Sequence, residues 1–87
     1  METEFFDIKG FVRMVKPNGF GFIVPMEKLN PNDSKKSCDI YFHASNVLNE
    51  GLEWKNIQTG MKVTISVVVK KATGYSAGGV LVNLKKR

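Results

Sequence analysis

Apolar and polar residues alternate with a period of two along most of this chain, and no stretch keeps the spacing of a helical stripe. Alternate residues of a strand point to opposite faces, so the pattern predicts a sheet with one face buried. Residues 62–70 carry it most clearly: Val63, Ile65, Val67 and Val69 are expected inward, Lys62, Thr64, Ser66 and Lys70 outward. Residues 8–15 predict a first strand, with Gly10 as a bend or bulge. Residues 19–24 predict a second, set off by the turn Lys16-Pro17-Asn18-Gly19 and stopped by Pro25. Residues 39–43 form the third. A turn around Thr73-Gly74 leads to the last, in which Val80, Val82 and Leu84 alternate with Leu81, Asn83 and Lys85. A long polar loop, 26–37, separates the second and third strands, and 44–60 reads as irregular with one helical turn near 44–47.

Five short strands suit a small closed barrel, because an open sheet of this size leaves two edges unprotected and one face bare. The expected core is Ile8, Val12, Ile23, Ile40, Phe42, Val47, Val63, Ile65, Val67, Val80 and Val82. Eighty-seven residues are too few for two cores. The expectation is one domain over 1–87, with an acidic extension at 1–7 and a basic end at 85–87.

Two segments stand out against this pattern. In Gly19-Phe20-Gly21-Phe22-Ile23, Phe20 and Phe22 fall on one face; in Asp39-Ile40-Tyr41-Phe42-His43, so do Tyr41 and His43, while Ile40 and Phe42 point the other way. The interleaved glycines are expected to leave the rings clear for a flat ligand to approach the backbone. Exposed rings on a sheet mark a binding surface, and every nucleic-acid base has a π-face that stacks on such a ring. Charge points the same way. The net charge is +5, from 13 Lys and Arg against 8 Asp and Glu, and no acid follows Glu53 while Lys55, Lys62, Lys70, Lys71, Lys85, Lys86 and Arg87 do. That basic half fits a polyanionic partner.

Other classes fit poorly. One histidine and one cysteine do not make a usual zinc site. No glycine-rich loop leads into a helix to cradle a phosphate, and Asp33, Asp39 and His43 lack an activated nucleophile. We therefore expect neither an enzyme nor a cofactor, and no small-molecule substrate. No apolar run approaches a membrane span, the acidic start is unlike a signal or transit peptide, and the single Cys38 fits a reducing compartment; the expected location is the cytoplasm, with no membrane partner.

The same segments resemble a cold-shock domain. That family carries a Lys-Gly-Phe-Gly-Phe-Ile strand, matched by Asn18-Gly19-Phe20-Gly21-Phe22-Ile23, and a Val-Phe-Val-His-Phe strand, matched by Ile40-Tyr41-Phe42-His43-Ala44. Gly10-Phe11-Val12-Arg13-Met14-Val15 resembles its Gly-Lys-Val-Lys-Trp-Phe opening. Trp54-Lys55-Asn56-Ile57-Gln58-Thr59-Gly60-Met61-Lys62-Val63 resembles its Phe-Lys-Thr-Leu-Glu-Glu-Gly-Gln-x-Val stretch, and 74–82 its closing Gly-Pro-Gln-Ala-x-Asn-Val. The resemblance spans nearly the whole chain, 10–82. It implies an all-β, five-stranded antiparallel OB-fold barrel with a long loop between strands two and three.

By that resemblance the chain binds single-stranded RNA or DNA with little sequence choice, as an RNA chaperone does. Phe20, Phe22, Tyr41 and His43 would form the platform, Trp54 its rim, and Arg13 a cation beside it, with Asp39 at a position that hydrogen-bonds a base edge. Met14 and Asn18 occupy family contact positions but replace a tryptophan and a lysine; Val15 and Ala44 each replace a phenylalanine. These changes bear on affinity and footprint, not on fold. Lys16 and Lys55 are candidate phosphate partners. Two alternatives stand beside this reading: a single-stranded DNA-binding protein for replication or recombination, cellular or phage-encoded, and a protein-interaction barrel using the 26–37 loop. A monomer or weak homodimer is expected.

Overall fold

Valine and isoleucine at alternating positions favour extended backbone and pack well on a pleated surface. In the computed structural model, which describes residues 3–26, 39–71 and 74–83, they build five strands. These are β1 (Thr3–Val15), β2 (Phe20–Pro25), β3 (Ile40–His43), β4 (Lys62–Lys71) and β5 (Gly74–Val82), with 3-10 turns at Ala44–Asn46 and Trp54–Asn56. The first of those turns lies where the helical turn was expected. The strands close into a barrel in the order β1-β2-β3-β5-β4. The expected bend of the first strand and its start both shift: β1 begins at Thr3, so part of the stretch read as an extension pairs with β4, from Thr3↔Lys70 to Phe11↔Lys62.

The sheet is mixed, which corrects the antiparallel expectation. β1–β2, β2–β3, β1–β4 and β4–β5 are antiparallel, but β3 and β5 run parallel, with Ile40 opposite Tyr75 and Tyr41 opposite Ser76. Parity requires this. Directions alternate around a ring only when the number of strands is even, so a closed barrel of five must contain a parallel pair.

Val12, Ile23, Ile40, Phe42, Ile57, Val63, Ile65, Val68, Tyr75, Ala77, Val80 and Val82 are buried. Eight of the expected inward positions before β4's midpoint and in β5 are therefore correct, Ile8 and Val47 pack at the margin, and the error is concentrated in β4. There Val68 is buried and Val67 only partly so. The pairing of β4 with β5 shifts register around Val67, and β1 changes phase at the same level, where Asp7 takes a φ of 56° between Phe6↔Val67 and Ile8↔Ile65. Strict alternation cannot follow a strand through such an irregularity. Past it, Lys70 is in phase with Val68 and its ammonium lies 5.3 Å from the centre of the Tyr75 ring, which Phe5 also approaches. Ile57, Tyr75 and Ala77 join the core from segments whose pattern gave no inward set.

Two glycines serve functions other than those expected. Gly10 is regularly paired with Pro25 and Val63; the bulge of β1 falls instead between Val12 and Met14. Gly21 faces the interior, not a ligand. A Cβ there would lie 2.5 Å from the Met14 carbonyl oxygen and 2.8 Å from the Phe42 ring. Residues 27–38, 72–73 and 84–87, which include most of the long loop, Cys38, Leu84 and the basic end, lie outside the described residues.

Gly21→Ala forces a methyl group into that space and is expected to destabilise the barrel by about 1–3 kcal/mol. Chemical denaturation followed by circular dichroism measures it, and an unchanged midpoint would refute the packing of Phe42 described above.

Candidate functional site

Burial of one face of β2 and β3 decides what the other face shows. Gly21, Ile23, Ile40 and Phe42 are buried, so Phe20, Phe22, Tyr41 and His43 point outward. The register sets Phe20 opposite His43 and Phe22 opposite Tyr41. The rings form a cluster: Phe20 and Tyr41 are stacked with centroids 6.0 Å apart and planes at 27°, while Phe22 meets both edge-on at 6.1 and 6.0 Å. Such edge-to-face and offset contacts favour one another, so the rings hold each other upright. Tyr41 is 39% exposed, and Phe20 and Phe22 are half-buried in the cluster.

The bulge in β1 extends this surface. Val12 pairs with Ile23 and Met14 with Phe22, so Arg13 is an extra residue on its strand. Regular alternation would turn Met14 inward. The inserted residue keeps Met14 beside Phe22 and leaves Arg13 exposed, after which Val15 returns to the core. Arg13 Nη1 lies 3.6 Å from Asp39 Oδ1.

At the other end, His43 caps the 3-10 turn that follows β3. Its Nδ1 accepts the Ser45 backbone N–H at 3.1 Å, and its own N–H donates to Asn46 Oδ1 at 2.9 Å. An accepting Nδ1 puts the proton of the neutral ring on Nε2. The ring lies against Gly19, whose φ of 99° only glycine adopts easily. Gly19 closes the turn 16–19, in which its N–H donates to the Lys16 carbonyl and the Lys16 N–H to the Phe20 carbonyl. Lys16 and Asn18 stand exposed on this turn.

Trp54 acts at the same turn from behind. Its ring packs on Phe42, centroids 5.3 Å apart, and its indole N–H donates to the Lys16 carbonyl at 2.7 Å. It is partly buried against the core, so the side chain expected at the platform's rim is also a strut holding the turn in place. Lys55, next in the chain, pairs with Glu53 at 3.3 Å, both largely exposed.

The sequence-expected residues Arg13, Met14, Phe20, Phe22, Asp39 and Tyr41 therefore share one surface, with His43, Lys16 and Asn18 at its edge. One feature had no sequence signal. Phe22, Asp39, Tyr41, Lys71, Tyr75 and Ser76 line an open groove of about 370 Å³ along the parallel seam of β3 and β5. No local pattern in 39–43 or 74–82 predicts that these segments lie side by side. Among the described residues, no three His, Cys, Asp or Glu side chains group as metal ligands. Comparison with protein-family models, curated proteins and solved structures returned no match.

Trp54→Phe keeps an aromatic ring on Phe42 but deletes the bond to Lys16. A loss of about 0.5–1.5 kcal/mol is expected, the usual net value of one hydrogen bond, with a larger loss for Trp54→Ala. Urea denaturation of the two variants tests this; equal stability of Trp54→Phe and the parent protein would remove the strut.

Proposed function

We propose that this chain binds single-stranded nucleic acid by stacking bases on Phe20, Phe22 and Tyr41, and that its barrel is an OB-fold of the cold-shock type. One observation carries the reading: three mutually supporting rings stand on the outer face of adjacent strands, with Met14 and Arg13 brought beside them by a bulge. Solvent-facing rings lose apolar contact that a flat aromatic partner restores. Stacking on a ring uses the π-face that every base has, which favours sequence-tolerant binding. Cations at the edge, Lys16 and Arg13, would follow the phosphates, so affinity would fall with salt.

Binding of this sort holds strands unpaired and releases them readily. That is the action of an RNA chaperone, and it is the role we propose. A strand-protecting role on DNA would use the same rings, and matched RNA and DNA homopolymers rank the two.

Phe22→Ala is expected to weaken binding of a single-stranded homopolymer by about 5- to 150-fold, the value of one base–aromatic stack, while the protein stays folded. Fluorescence anisotropy of a labelled strand measures it; unaltered affinity in a folded variant would remove the platform. Lys55→Ala is expected to lower the slope of log affinity against log salt by about 0.7, the share of one phosphate contact on a single strand. An unchanged slope assigns Lys55 to its pair with Glu53.

A further inference from the structure

The bulge between Val12 and Met14 exposes Arg13 next to β2, and the guanidinium ends 3.6 Å from Asp39 Oδ1, just before β3. The pair is loose. That distance is too long for a hydrogen bond, and the side chains are 53% and 35% exposed. Asp39 Oδ1 is itself covered and accepts no hydrogen bond among the described residues. The carboxylate holds its cation by charge alone, without a hydrogen bond, and the half-exposed guanidinium is open to exchange with a partner from solvent. A phosphodiester brings two accessible oxygens that a guanidinium can grip at full hydrogen-bonding length. The pair also adjoins the ring surface, because Asp39 lines the groove together with Phe22 and Tyr41.

We infer that Asp39 is an internal stand-in for a backbone phosphate. In the free protein it parks Arg13 beside Phe22; in the complex a phosphate of the bound strand takes its place. Arg13 is then the phosphate contact, and Asp39 is a positioning residue that sets how strongly Arg13 competes for the strand. This rests on the single-strand reading above and adds a regulator to the same site. A flat ligand without phosphate stacks on the rings and leaves the pair closed. A strand must open it, so the pair slightly lowers affinity for ligands that carry a phosphate next to a stacked base and leaves phosphate-free ligands unaffected.

The test uses the parent protein, Asp39→Asn, Arg13→Gln and the double variant, each titrated with oligothymidylate and with its uncharged methylphosphonate counterpart. Asp39→Asn is expected to bind the phosphodiester strand about 1.5- to 5-fold more tightly, the range of an exposed ion pair. The gain shrinks in the Arg13→Gln background, and the methylphosphonate strand shows no gain. An equal gain in both backgrounds would reduce Asp39 to a general negative charge and overturn the inference. So would weaker binding by Asp39→Asn, which would assign the carboxylate to the base itself. Both of those results leave the stacking reading intact, since the parent protein still binds. If the parent binds neither strand, the stacking reading fails and takes this inference with it. Asp39→Ser repeats the comparison if circular dichroism shows that Asp39→Asn disturbs the fold.

Discussion

The seat of Phe42 beneath Gly21 governs both the barrel and its outer surface. The Phe42 ring is fully buried and occupies space that any side chain at position 21 would need. This contact joins β2 to β3 from the inside and leaves one register open to them. A slip of one residue would exchange the faces of a strand, burying Tyr41 and His43 and exposing Phe42 and Ile40. The outward rings are thus a consequence of an inward one. Phe42 also carries Trp54, whose indole bonds the Lys16 carbonyl, so the turn that delivers Phe20 is tied to the same core residue.

Irregularities in the strands add the chemistry that regular alternation would withhold. An ideal β1 offers the outer surface one residue in two. The bulge at Arg13 offers two in succession, a cation and a flexible thioether, next to the ring of Phe22. Met14 stands where the resembled family has tryptophan, and a soft, polarizable side chain can still cover an aromatic surface. The second irregularity, at Asp7 and Val67, has a structural effect: it resets the phase so that Phe5, Val68 and Ala77 close one end of the barrel. Gly78 belongs with it, since a Cβ there would collide with the Val67 side chain.

Much of this was legible along the chain. The faces of β2 and β3 followed from alternation alone, because those strands are short and regular, and each placement of Phe20, Phe22, Tyr41 and His43 agrees with the pairing found. The turn before β2 was legible from proline, asparagine and glycine in succession. In β4 the expected faces hold through Ser66 and again at Lys70, which is exposed; the difference lies in the valines between them, since Val67, Val68 and Val69 are chemically alike and only pairing with β5 selects which of them is buried. The glycine at position 10 signals not the expected bend or bulge but close packing against the Val24 carbonyl and the Ile23 side chain.

The sequence by itself determined the all-β character, the number of strands and the ring-bearing face, because each depends on the order of apolar and polar residues within a few positions. Tertiary structure alone decided the parallel seam of β3 and β5, the groove along it, the approach of Arg13 to Asp39 and the strut from Trp54 to Lys16. These join residues distant in the chain, and their partners are selected by closure of the ring and by core volume, neither of which is written in any local stretch of residues.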